Sequence, residues 1–556
     1  MTKMIFEKHK FLDGELSHIT TAYIDQYPIV YILYSKNANQ RPIAYIGQTV
    51  QVDRRMVAHL KDIKRKDISD SLLIGNEKFN QSATYNIESK LINHFIGDGK
   101  FMLQNVSQTK TPQMHCYYDK EFYDKILFAE IWDYLLDNGL ADNSLDRIET
   151  RDVYKISPYR ELSSEQLEVK SEIINYCKEN IGRTNEKVFM IHGEAGTGKS
   201  VVIASLFNTL QDLSKEKYSP IFGTKNYLLV NNAEMIKTYR SMSKSLPNIK
   251  KKDILKPTTF INEMDKSKDK ADIVVVDEAH LLLTKEDKYN NFYYENQLEE
   301  IIKRSKITIF IFDSRQVLRT KSYWTDETMK QLDDKYKFAK YPLKTQFRMK
   351  CSKETLKWIE DFYDKKITCI PQSTKDFTFE IMPTAESLKE KIKNLNKKSG
   401  LSRIVSTFDY LHKKDGKEIY YVDKDGLDMP WNTTDSEKPW AERSETINEV
   451  GSIYTVQGFD LNYVGLFLGP SIDFDPSTNS LVVDISKYKD TGAFVGRNDL
   501  SKEDLIKYKE EIILNSINTL MKRGIHGLYI YAVNEKLRKH LLELQAKRDG
   551  EETFLN

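Results

Sequence analysis

The segment KVFMIHGEAGTGKS, from Lys187 to Ser200, is the most informative part of this chain. An apolar run leads into a glycine-rich turn, and the turn is followed by VVIASLFNTL, which has the pattern of a helix. The turn fits the spacing G-x-x-x-x-G-K-[ST], in which glycines let backbone N–H groups wrap closely round phosphates, while the lysine supplies a charge and the serine a hydroxyl for magnesium. We therefore predict a nucleotide-phosphate loop between a strand and a helix, formed by Gly193, Gly196, Gly198, Lys199 and Ser200.

A second apolar run, in ADIVVVDEAH from Ala271 to His280, supplies the acidic side chains that such a site needs. Its β-branched core, Ile273 to Val276, is typical of a parallel strand covered on both faces. Asp277 would follow this strand and hold magnesium through water, and Glu278 would polarise the attacking water. An acidic pair after a strand is usually a helix cap, but the phosphate loop earlier in the chain favours the metal site.

A third apolar run, KITIFIFDSRQ, ends in Asp313 and Gln316, which we expect to sense the γ-phosphate. Three further segments follow in the order LKTQFRM (Leu343–Met349), IYTVQGFDLNYVGLFLGP (Ile453–Pro470) and LMKRGIHGLYIY (Leu520–Tyr531). Together with the two segments above, they resemble the motifs of a superfamily 1 helicase, and more narrowly those of the Schlafen-type helicase-like domain. The resemblance extends from about Ser157 to Val533, and it implies two RecA-like lobes with parallel sheets that bind ATP and nucleic acid.

The resemblance also implies roles for single residues. Gln166 would read the adenine edge by paired hydrogen bonds, which favours ATP as the nucleotide. Arg348 and Arg523 match the arginines that reach the γ-phosphate, where a delocalised cation stabilises the transition state of phosphoryl transfer. Gln457 and Gly458 match the motif that couples nucleotide to nucleic acid. Translocases, remodellers and nucleotide-gated switches share these motifs, so unwinding does not follow from them.

The N-terminal part of the chain contains a separate pattern in VYILYSKNANQRPIAYIGQT, from Val30 to Thr49. Two aromatic and aliphatic runs joined by a polar loop predict a β-hairpin that carries Tyr31 and Tyr45. Strand propensity alone would explain both tyrosines. Further along, Arg55 and His59 are four residues apart in QVDRRMVAHLKD, and this spacing places them on one face of a helix.

Glu88 in NIESKLINHF and Asn105 in FMLQNVSQ complete an ordered set of residues that resembles the GIY-YIG nuclease family. The first of the two name-giving elements reads Ile-Val-Tyr at Ile29–Tyr31 instead of Gly-Ile-Tyr, whereas the second, Tyr45–Gly47, is intact. The resemblance extends from about Tyr27 to Ser107.

This second resemblance implies metal-dependent cleavage of a phosphodiester. Tyr31 would be the general base that takes a proton from water, although a free phenol is only about one part in a thousand ionised at pH 7 and needs help from its surroundings. Arg55 would hold the scissile phosphate, and Glu88 would bind Mg²⁺ or Mn²⁺ through hard carboxylate oxygens. The remaining members of the set, which complete the proton network or brace the site, are Tyr45, His59 and Asn105.

The length of 556 residues is too great for one core and corresponds to about three or four lobes. We predict an α/β protein in which a small mixed α/β GIY-YIG nuclease domain precedes two RecA-like parallel-sheet lobes. The predicted boundaries are 1–110 for the nuclease domain, 111–158 for a helical connector, 159–365 for the first lobe with the phosphate loop, and 366–556 for the second lobe.

The composition argues against a membrane protein, a secreted protein and a zinc-binding protein. The sequence has no run of about 18 apolar residues that could cross a bilayer, and its N-terminal segment lacks the apolar core of a signal peptide. The four cysteines are too scattered for a disulfide framework or a zinc site. We therefore expect a soluble, cytoplasmic protein with no membrane partner.

Nucleic acid is the expected partner, with DNA favoured over RNA. The net charge of +2 is not that of a dedicated nucleic-acid binder, and the basic clusters KDIKRKD (Lys61–Asp67) and NIKKKDILK (Asn248–Lys256) are typical of solvated surface as well as of phosphate contacts. We predict an ATP-dependent nuclease-helicase, with antiphage defence as its role by analogy. Two alternatives stay open, a nucleotide-gated switch that binds nucleic acid without cutting it, and an RNA-directed nuclease and ATPase. The sequence does not determine the oligomeric state.

Overall fold

The structure is a computed structural model. It describes residues 3–16, 19–35, 41–105, 117–149, 151–193, 196–343, 348–412, 419–422, 426–433, 439–456, 459–495, 497 and 500–550.

The described strands are β1 Ile5–Lys10, β2 Ile29–Tyr34, β3 Ile43–Thr49, β4 Asp70–Gly75, β5 Met102–Leu103, β6 Lys187–Gly193, β7 Asn226–Val230, β8 Ile254–Leu255, β9 Ala271–Asp277, β10 Ser305–Phe312, β11 Ala339–Leu343, β12 Thr378–Ile381, β13 Ser402–Ser406, β14 Tyr421–Val422, β15 Met429–Pro430, β16 Val450–Gly451, β17 Leu461–Leu468, β18 Ile472–Asp475, β19 Ser480–Val483 and β20 Gly524–Ala532.

The described α-helices are α1 Val52–Leu60, α2 Gln81–Asp98, α3 Lys120–Phe122, α4 Phe128–Asp137, α5 Leu145–Glu149, α6 Asp152–Lys155, α7 Ser164–Asn180, α8 Lys199–Leu213, α9 Ala233–Ser243, α10 Pro257–Ser267, α11 Gln297–Lys303, α12 Asp326–Tyr336, α13 Lys353–Tyr363, α14 Ala385–Ser399, α15 Ile453–Val456, α16 Lys502–Met521 and α17 Glu535–Asp549.

The N-terminal sheet has the strand order β1-β4-β2-β3-β5. Its pairs are antiparallel, except that β5 runs parallel to β3. All six residues of the central strand β2 are buried, which fits its continuous apolar and aromatic sequence. The predicted hairpin is confirmed, because β2 and β3 pair along their whole length.

Helix α2 lies against this sheet and carries Glu88. It begins after Asn80, whose side chain accepts a hydrogen bond from the Ala83 N–H, and it ends at Gly99, whose φ of +79° is a conformation that glycine adopts without strain. The helix is buried over most of its length, so its position is fixed by packing on more than one side.

A six-stranded sheet with the order β11-β6-β10-β9-β7-β8 contains the phosphate-loop segment. Strands β6, β9, β10 and β11 run parallel. The centres of β6, β9 and β10 are buried and rich in valine, isoleucine and phenylalanine, as expected for a parallel sheet with both faces covered. Because parallel strands end at the same edge, the phosphate loop, Asp277 and Asp313 follow three neighbouring strands at that edge.

A second parallel sheet has the order β12-β20-β17-β13-β16 and its own apolar core. The predicted mixed α/β architecture with parallel sheets is therefore confirmed. Two short antiparallel pairs, β14 with β15 and β18 with β19, accompany it.

The chain divides into two compact units. The first contains 1–179, 200–226 and 238–254, and the second contains 180–199, 227–237 and 255–556. The N-terminal sheet therefore shares a unit with most of helix α8, which follows the phosphate loop. The finer domain boundaries given above stay predictions. No helix among the described residues combines the length and the apolar character needed to span a bilayer.

Candidate active sites

The tyrosine cluster of the N-terminal sheet is built around a close contact between β2 and β3. Tyr31 faces Gly47 across the two strands. A Cβ atom at position 47 would lie 2.4 Å from both Cζ and the hydroxyl oxygen of Tyr31. The tyrosine ring therefore lies directly over the glycine, which explains why the YIG sequence needs glycine here.

Helix α1 brings a cation and an imidazole to the Tyr31 hydroxyl. The hydroxyl lies 2.8 Å from Nε2 of His59, and Nε of Arg55 donates to it over 3.0 Å. Arg55 also donates from Nη2 to the Tyr45 hydroxyl over 3.4 Å. The prediction that Arg55 and His59 share one helix face is confirmed, and the structure brings both together with the two tyrosines.

The protonation states of this cluster are set mainly by burial. Burial raises the pKa of Tyr31 well above that of a free phenol, and the hydrogen bond from Arg55 offsets part of this rise. Burial, Arg55 and Arg65 lower the pKa of His59 to about 4. The imidazole is therefore neutral near pH 7, and its Nε2 is a suitable acceptor for the phenolic proton.

Glu88 is the carboxylate of this cluster. It is 7% exposed, and burial raises its pKa to about 7, while the charge of Arg55 acts in the opposite direction. Within the described ranges, no group of three or more histidine, cysteine, aspartate or glutamate side chains could form a metal site. Mg²⁺ is commonly held by one or two carboxylates and several waters, so a single buried carboxylate fits this ion as its one protein ligand.

The side chain of Asn105 makes two hydrogen bonds with the backbone of strand β3, as the backbone of a neighbouring strand would. Its side-chain Oδ1 accepts from the Ile46 N–H over 3.1 Å, and its Nδ2 donates to the Ile46 carbonyl over 2.8 Å. Ile46 lies between Tyr45 and Gly47. Asn105 therefore holds the segment of β3 that carries the second tyrosine, which fits the bracing role predicted for it.

Sequence reasoning missed Arg65, which lies in a basic cluster typical of solvated surface. Arg65 is 8% exposed, and the carbon of its guanidinium lies 3.8 Å from the centroid of the Tyr45 ring. Its Nη1 donates to Oε1 of Gln104, and its Nε has no hydrogen-bond partner among the described residues. Local sequence gives no sign that this one member of the cluster turns inward, because the ring that it covers is 20 residues away in the chain.

The phosphate loop has the geometry that its glycines predict. Gly196 and Gly198 have φ angles of +94° and +74°, which side chains with a Cβ rarely adopt. The Lys199 ammonium donates to the Gly193 carbonyl over 2.7 Å and to Oδ2 of Asp313 over 3.1 Å. Lys199 is thus already paired with a carboxylate in this structure.

Asp313 is held by a second group from its own loop. Nε2 of Gln316 donates to its Oδ2 over 2.6 Å. Burial alone would raise the pKa of Asp313, but Lys199, His280 and Gln316 lower it to about 2. The carboxylate is therefore ionised at all physiological pH values. The structure brings Asp313 and Gln316 to the phosphate loop, where their predicted sensing role requires them.

Asp277 and Glu278 follow strand β9, and both are buried. Glu278 has a φ of +54°, an uncommon conformation for a residue with a side chain. Nε2 of His280 lies 2.7 Å from its Oε2. Burial would raise the pKa of Glu278, whereas His280, Lys199 and Arg523 lower it. Sequence reasoning named both acids but missed the partner His280.

The two predicted arginines lie near the same loop. The Arg348 N–H donates to the Gly196 carbonyl over 3.2 Å, and its side chain pairs with Asp460. Arg523 is 1% exposed and donates to the Phe459 carbonyl over 3.3 Å. Its Nη2 also lies 3.5 Å from Oε1 of Gln316.

Burial and the like charge of Arg348 lower the pKa of Arg523 to about 9, and the neighbouring carboxylates oppose this change. Removing a guanidinium from water is costly, so a buried arginine favours an anion at its side.

The roles of four further residues stay predictions. Gln166 is engaged at the start of α7, where its Oε1 accepts from the Ser163 N–H over 3.0 Å. Its role in reading adenine stays a prediction, as does magnesium binding by Ser200, in the first turn of α8. Gln457 and Gly458 lie outside the described residues.

Comparison with known proteins identifies the family to which this chain belongs. Residues 186–534 match the family model described as Schlafen group 3, DNA/RNA helicase domain. An uncharacterized protein of Saccharomyces cerevisiae is 36% identical over 419 residues, which make up 69% of this chain and 91% of that protein.

Among solved structures, the S. cerevisiae protein Dbp5 bound to RNA and ADP BeF3 aligns at 12% identity and a TM-score of 0.33, covering 75% of this chain and 94% of that one. The Pif1 helicase from Candida albicans aligns at 12% identity and a TM-score of 0.29, covering 70% and 99%. The family match spans more than half of the chain. The chain belongs to the Schlafen group 3 family of DNA/RNA helicase domains, and it carries a helicase-like, ATP-dependent nucleic-acid motor.

Proposed function

We propose that this protein is a metal-dependent GIY-YIG endonuclease joined to an ATP-driven motor, and that the two parts act on the same nucleic acid. The observation that carries the nuclease proposal is the contact of the Tyr31 hydroxyl with both His59 and Arg55, at 2.8 and 3.0 Å. A tyrosine kept only for packing needs neither partner. The buried carboxylate of Glu88, whose charge interacts with that of Arg55, would hold a hard cation.

Proton transfer in the nuclease would begin at the Tyr31 hydroxyl. Because burial disfavours the phenolate, Tyr31 can act as a base only if its own proton has an acceptor, and neutral His59 provides one. Arg55 lies at the same hydroxyl and stabilises negative charge as it develops. A Mg²⁺ or Mn²⁺ ion on Glu88 would supply Lewis-acid stabilisation of the phosphoryl oxygens and the leaving oxygen.

In the motor, the phosphates of ATP would take Lys199 from Asp313. The lysine ammonium, Arg348 and Arg523 then neutralise the phosphates, and Glu278 orients the attacking water. Asp277 and Ser200 are the residues that would hold magnesium. We expect this chain to act on DNA and to take part in defence against foreign DNA. The motor motifs contact phosphate and backbone, so RNA is included in the test.

The test measures cleavage of labelled single- and double-stranded DNA and RNA with Mg²⁺ or Mn²⁺, with and without ATP. We expect Glu88→Gln to abolish cutting and to leave nucleic-acid-stimulated ATP hydrolysis intact. We expect Lys199→Ala to abolish ATP hydrolysis and to change only the ATP response of cutting.

The outcomes separate the alternatives. If the wild-type protein hydrolyses ATP in response to nucleic acid but cuts no substrate with either metal, the nuclease proposal is wrong and the nucleotide-gated binding switch replaces it. If only RNA is cut, the preference for DNA is wrong and the nuclease proposal stands.

A further inference from the structure

A short turn beside the tyrosine cluster carries an isoleucine that does not pack into the fold. The turn, Ile63–Arg65, is a 3-10 helix, and it follows α1, the helix that carries Arg55 and His59. The Ile63 side chain is 81% exposed, more than any other isoleucine, leucine or valine among the described residues. Single exposed aliphatic side chains are common on protein surfaces, so the meaning of this one depends on its surroundings.

The backbone of this turn is held in place by hydrogen bonds. Oδ1 of Asp62 accepts from the Lys64 N–H over 3.0 Å, and Nε2 of Gln104 donates to the Lys64 carbonyl over 2.8 Å. The Arg65 N–H donates to the Asp62 carbonyl over 2.8 Å. Ile63 therefore projects into solvent from a fixed backbone and not from a loosely attached loop.

Arg65 attaches the turn to the tyrosine cluster. The carbon of its guanidinium lies 3.8 Å from the centroid of the Tyr45 ring, and its Nη1 donates to Oε1 of Gln104. Ile63 is two residues from Arg65 in the same turn. A molecule that covers Ile63 therefore lies next to the cluster.

Positive charge surrounds Ile63 on the surface. The acidic side chains between residues 53 and 67 are Asp53, Asp62 and Asp67, and Asp62 is engaged as the cap of the turn. The exposed cations of the same segment are Arg54, Arg55, Lys61, Lys64 and Lys66. This surface thus combines an excess of cations with one large aliphatic side chain.

Duplex nucleic acid offers both features that complement this surface. Its phosphates attract lysine and arginine, and an aliphatic side chain can enter between two base pairs and kink the helix. An acidic protein surface would pair with the cations but would leave Ile63 without an apolar partner. The arrangement of Arg55 at the Tyr31 hydroxyl favours nucleic acid over an anionic membrane, because a guanidinium there can hold a phosphodiester.

We propose that Ile63 is a wedge that enters a base step of duplex DNA, and that Lys61, Lys64 and Lys66 bind the phosphates beside that step. The kink would bring the backbone next to the opened step toward Arg55. The unstacking of one step is unfavourable, and the contacts of the lysines with the bent backbone offset it. The effect on cutting rests on the nuclease function proposed above, whereas the docking of DNA on this surface does not.

The experiment uses the full-length variant Ile63→Trp as a local reporter. The natural tryptophans are each 7% exposed or less, so the introduced indole is the one open to a quencher in solution; they are Trp132, Trp324, Trp358, Trp431 and Trp440. Ile126→Trp is the matched control, because Ile126 is 52% exposed and lies in the same unit on another element, Tyr123–Leu127.

The readout is acrylamide quenching of tryptophan fluorescence, measured without divalent metal so that no strand is cut. Duplex DNA, single-stranded DNA and phosphatidylserine vesicles are added in turn. We expect duplex DNA to remove the extra quenching of Ile63→Trp and to leave that of Ile126→Trp unchanged. Single-stranded DNA and vesicles should leave both variants quenched.

The lysines are tested by the salt dependence of this protection. Adding Lys64→Gln to Ile63→Trp should lower the slope of log K against log salt concentration by about 0.9, the effect of one lost phosphate contact on B-DNA. In the cutting assay, Ile63→Ala should lower kcat/KM for duplex DNA by about tenfold, because burial of this side chain contributes at least that much to binding. Ile126→Ala should cut at the wild-type rate.

The outcomes separate this proposal from the nuclease function. If the anisotropy of a labelled duplex shows binding while Ile63→Trp stays fully quenched, the wedge is wrong, whether or not the protein cuts. Equal protection by single-stranded DNA or by vesicles also overturns it and assigns Ile63 to that partner. If duplex DNA alone protects Ile63→Trp and no substrate is cut, the nuclease function fails and the docking surface stands.

Discussion

The phosphate loop and the tyrosine cluster both contain cations, but they neutralise them in different ways. At the loop two cations have an opposite charge beside them, Lys199 with Asp313 and Arg348 with Asp460. In the cluster, Arg55 contacts tyrosine hydroxyls, and Arg65 lies on a tyrosine ring, with a carboxylate oxygen of Asp62 4.0 Å away.

This difference affects how each site would bind phosphate. A cation that is already paired with a carboxylate must separate from it before it binds phosphate, so phosphate replaces the carboxylate as its partner. A site whose arginines contact rings and hydroxyls has positive charge left for an incoming phosphate. We therefore expect substitutions at the loop to act mainly by leaving a charge unpaired. We expect substitutions in the cluster to act mainly by moving the Tyr31 hydroxyl away from its partners.

The largest effect is expected from Lys199→Ala. ATP hydrolysis should fall by at least about 100-fold, as for the loss of a preorganised charge at a transition state. The free energy of unfolding of the second unit should fall by about 3–5 kcal/mol, because Asp313 stays buried and charged without its cation. ATPase assays and urea unfolding measure the two effects.

The double variant Lys199→Ala with Asp313→Asn serves as the control for charge balance. It should recover most of the lost stability and none of the ATP hydrolysis. If the single variant is as stable as the wild type, the loop does not depend on charge pairing and the comparison above is wrong.

The second-largest effect is expected from Glu88→Gln, which should abolish cutting and change the pH dependence of stability. Burial raises the pKa of Glu88 from 4.5 to about 7, so between these pH values the folded state keeps a proton that the unfolded state has released. Wild-type stability should therefore fall as the pH rises through this range, by up to about 3 kcal/mol, and the glutamine variant should lack this fall. Urea unfolding at a series of pH values tests it.

Magnesium provides the matching test of the cluster. Above pH 7, Mg²⁺ should raise the melting temperature of the wild type, because it binds the charged carboxylate of the folded state, and Glu88→Gln should not respond. An equal response of both proteins to Mg²⁺ would assign the ion to another site.

A smaller effect on stability, with a large effect on cutting, is expected from Gly47→Ala. The new methyl group would overlap the Tyr31 ring, and overpacking of this kind costs about 1–3 kcal/mol. Cutting should fall strongly because the Tyr31 hydroxyl leaves His59 and Arg55, whereas ATP hydrolysis should be unchanged. Gly182→Ala is the control, since apart from its chain neighbours no atom of the described residues lies within 4 Å of a Cβ there. Cutting at the wild-type rate by Gly47→Ala would show that the position of Tyr31 does not matter.

The smallest effect is expected from Arg65→Met, which keeps an apolar side chain beside Tyr45 and removes the charge. Because Arg65 is one of the groups that lower the pKa of His59, the variant should have a higher His59 pKa. Protonated His59 cannot accept the Tyr31 proton, so the acid limb of cutting should move to higher pH at saturating Mg²⁺. A pH profile with an unchanged acid limb would limit Arg65 to packing.

Much of both sites could be predicted from sequence because short spacings determine them. Arg55 and His59 share a helix face by their spacing of four, and the glycines of the phosphate loop mark the backbone conformations that the loop adopts. Asp277 and Asp313 could be placed because each follows a buried strand, and parallel strands end at a common edge.

The remaining contacts join residues far apart in the chain, and no local pattern encodes them. The pairing of Lys199 with Asp313, the stacking of Arg65 on Tyr45, and the hydrogen bonds of Asn105 to Ile46 all depend on tertiary packing. The same holds for the compact unit that combines the N-terminal sheet with helix α8, because a domain boundary read from motifs assumes that each segment packs within its own domain.

The pairing of Lys199 with Asp313 also bears on how the protein behaves when the cell is short of energy. The carboxylate supplies the charge that a phosphate would otherwise supply, so the lysine remains neutralised when no ATP is bound. The apparent affinity for ATP is reduced by the free energy needed to separate this pair. In exchange, the folded state does not depend on nucleotide, and a starved cell keeps an intact protein that responds as soon as ATP returns.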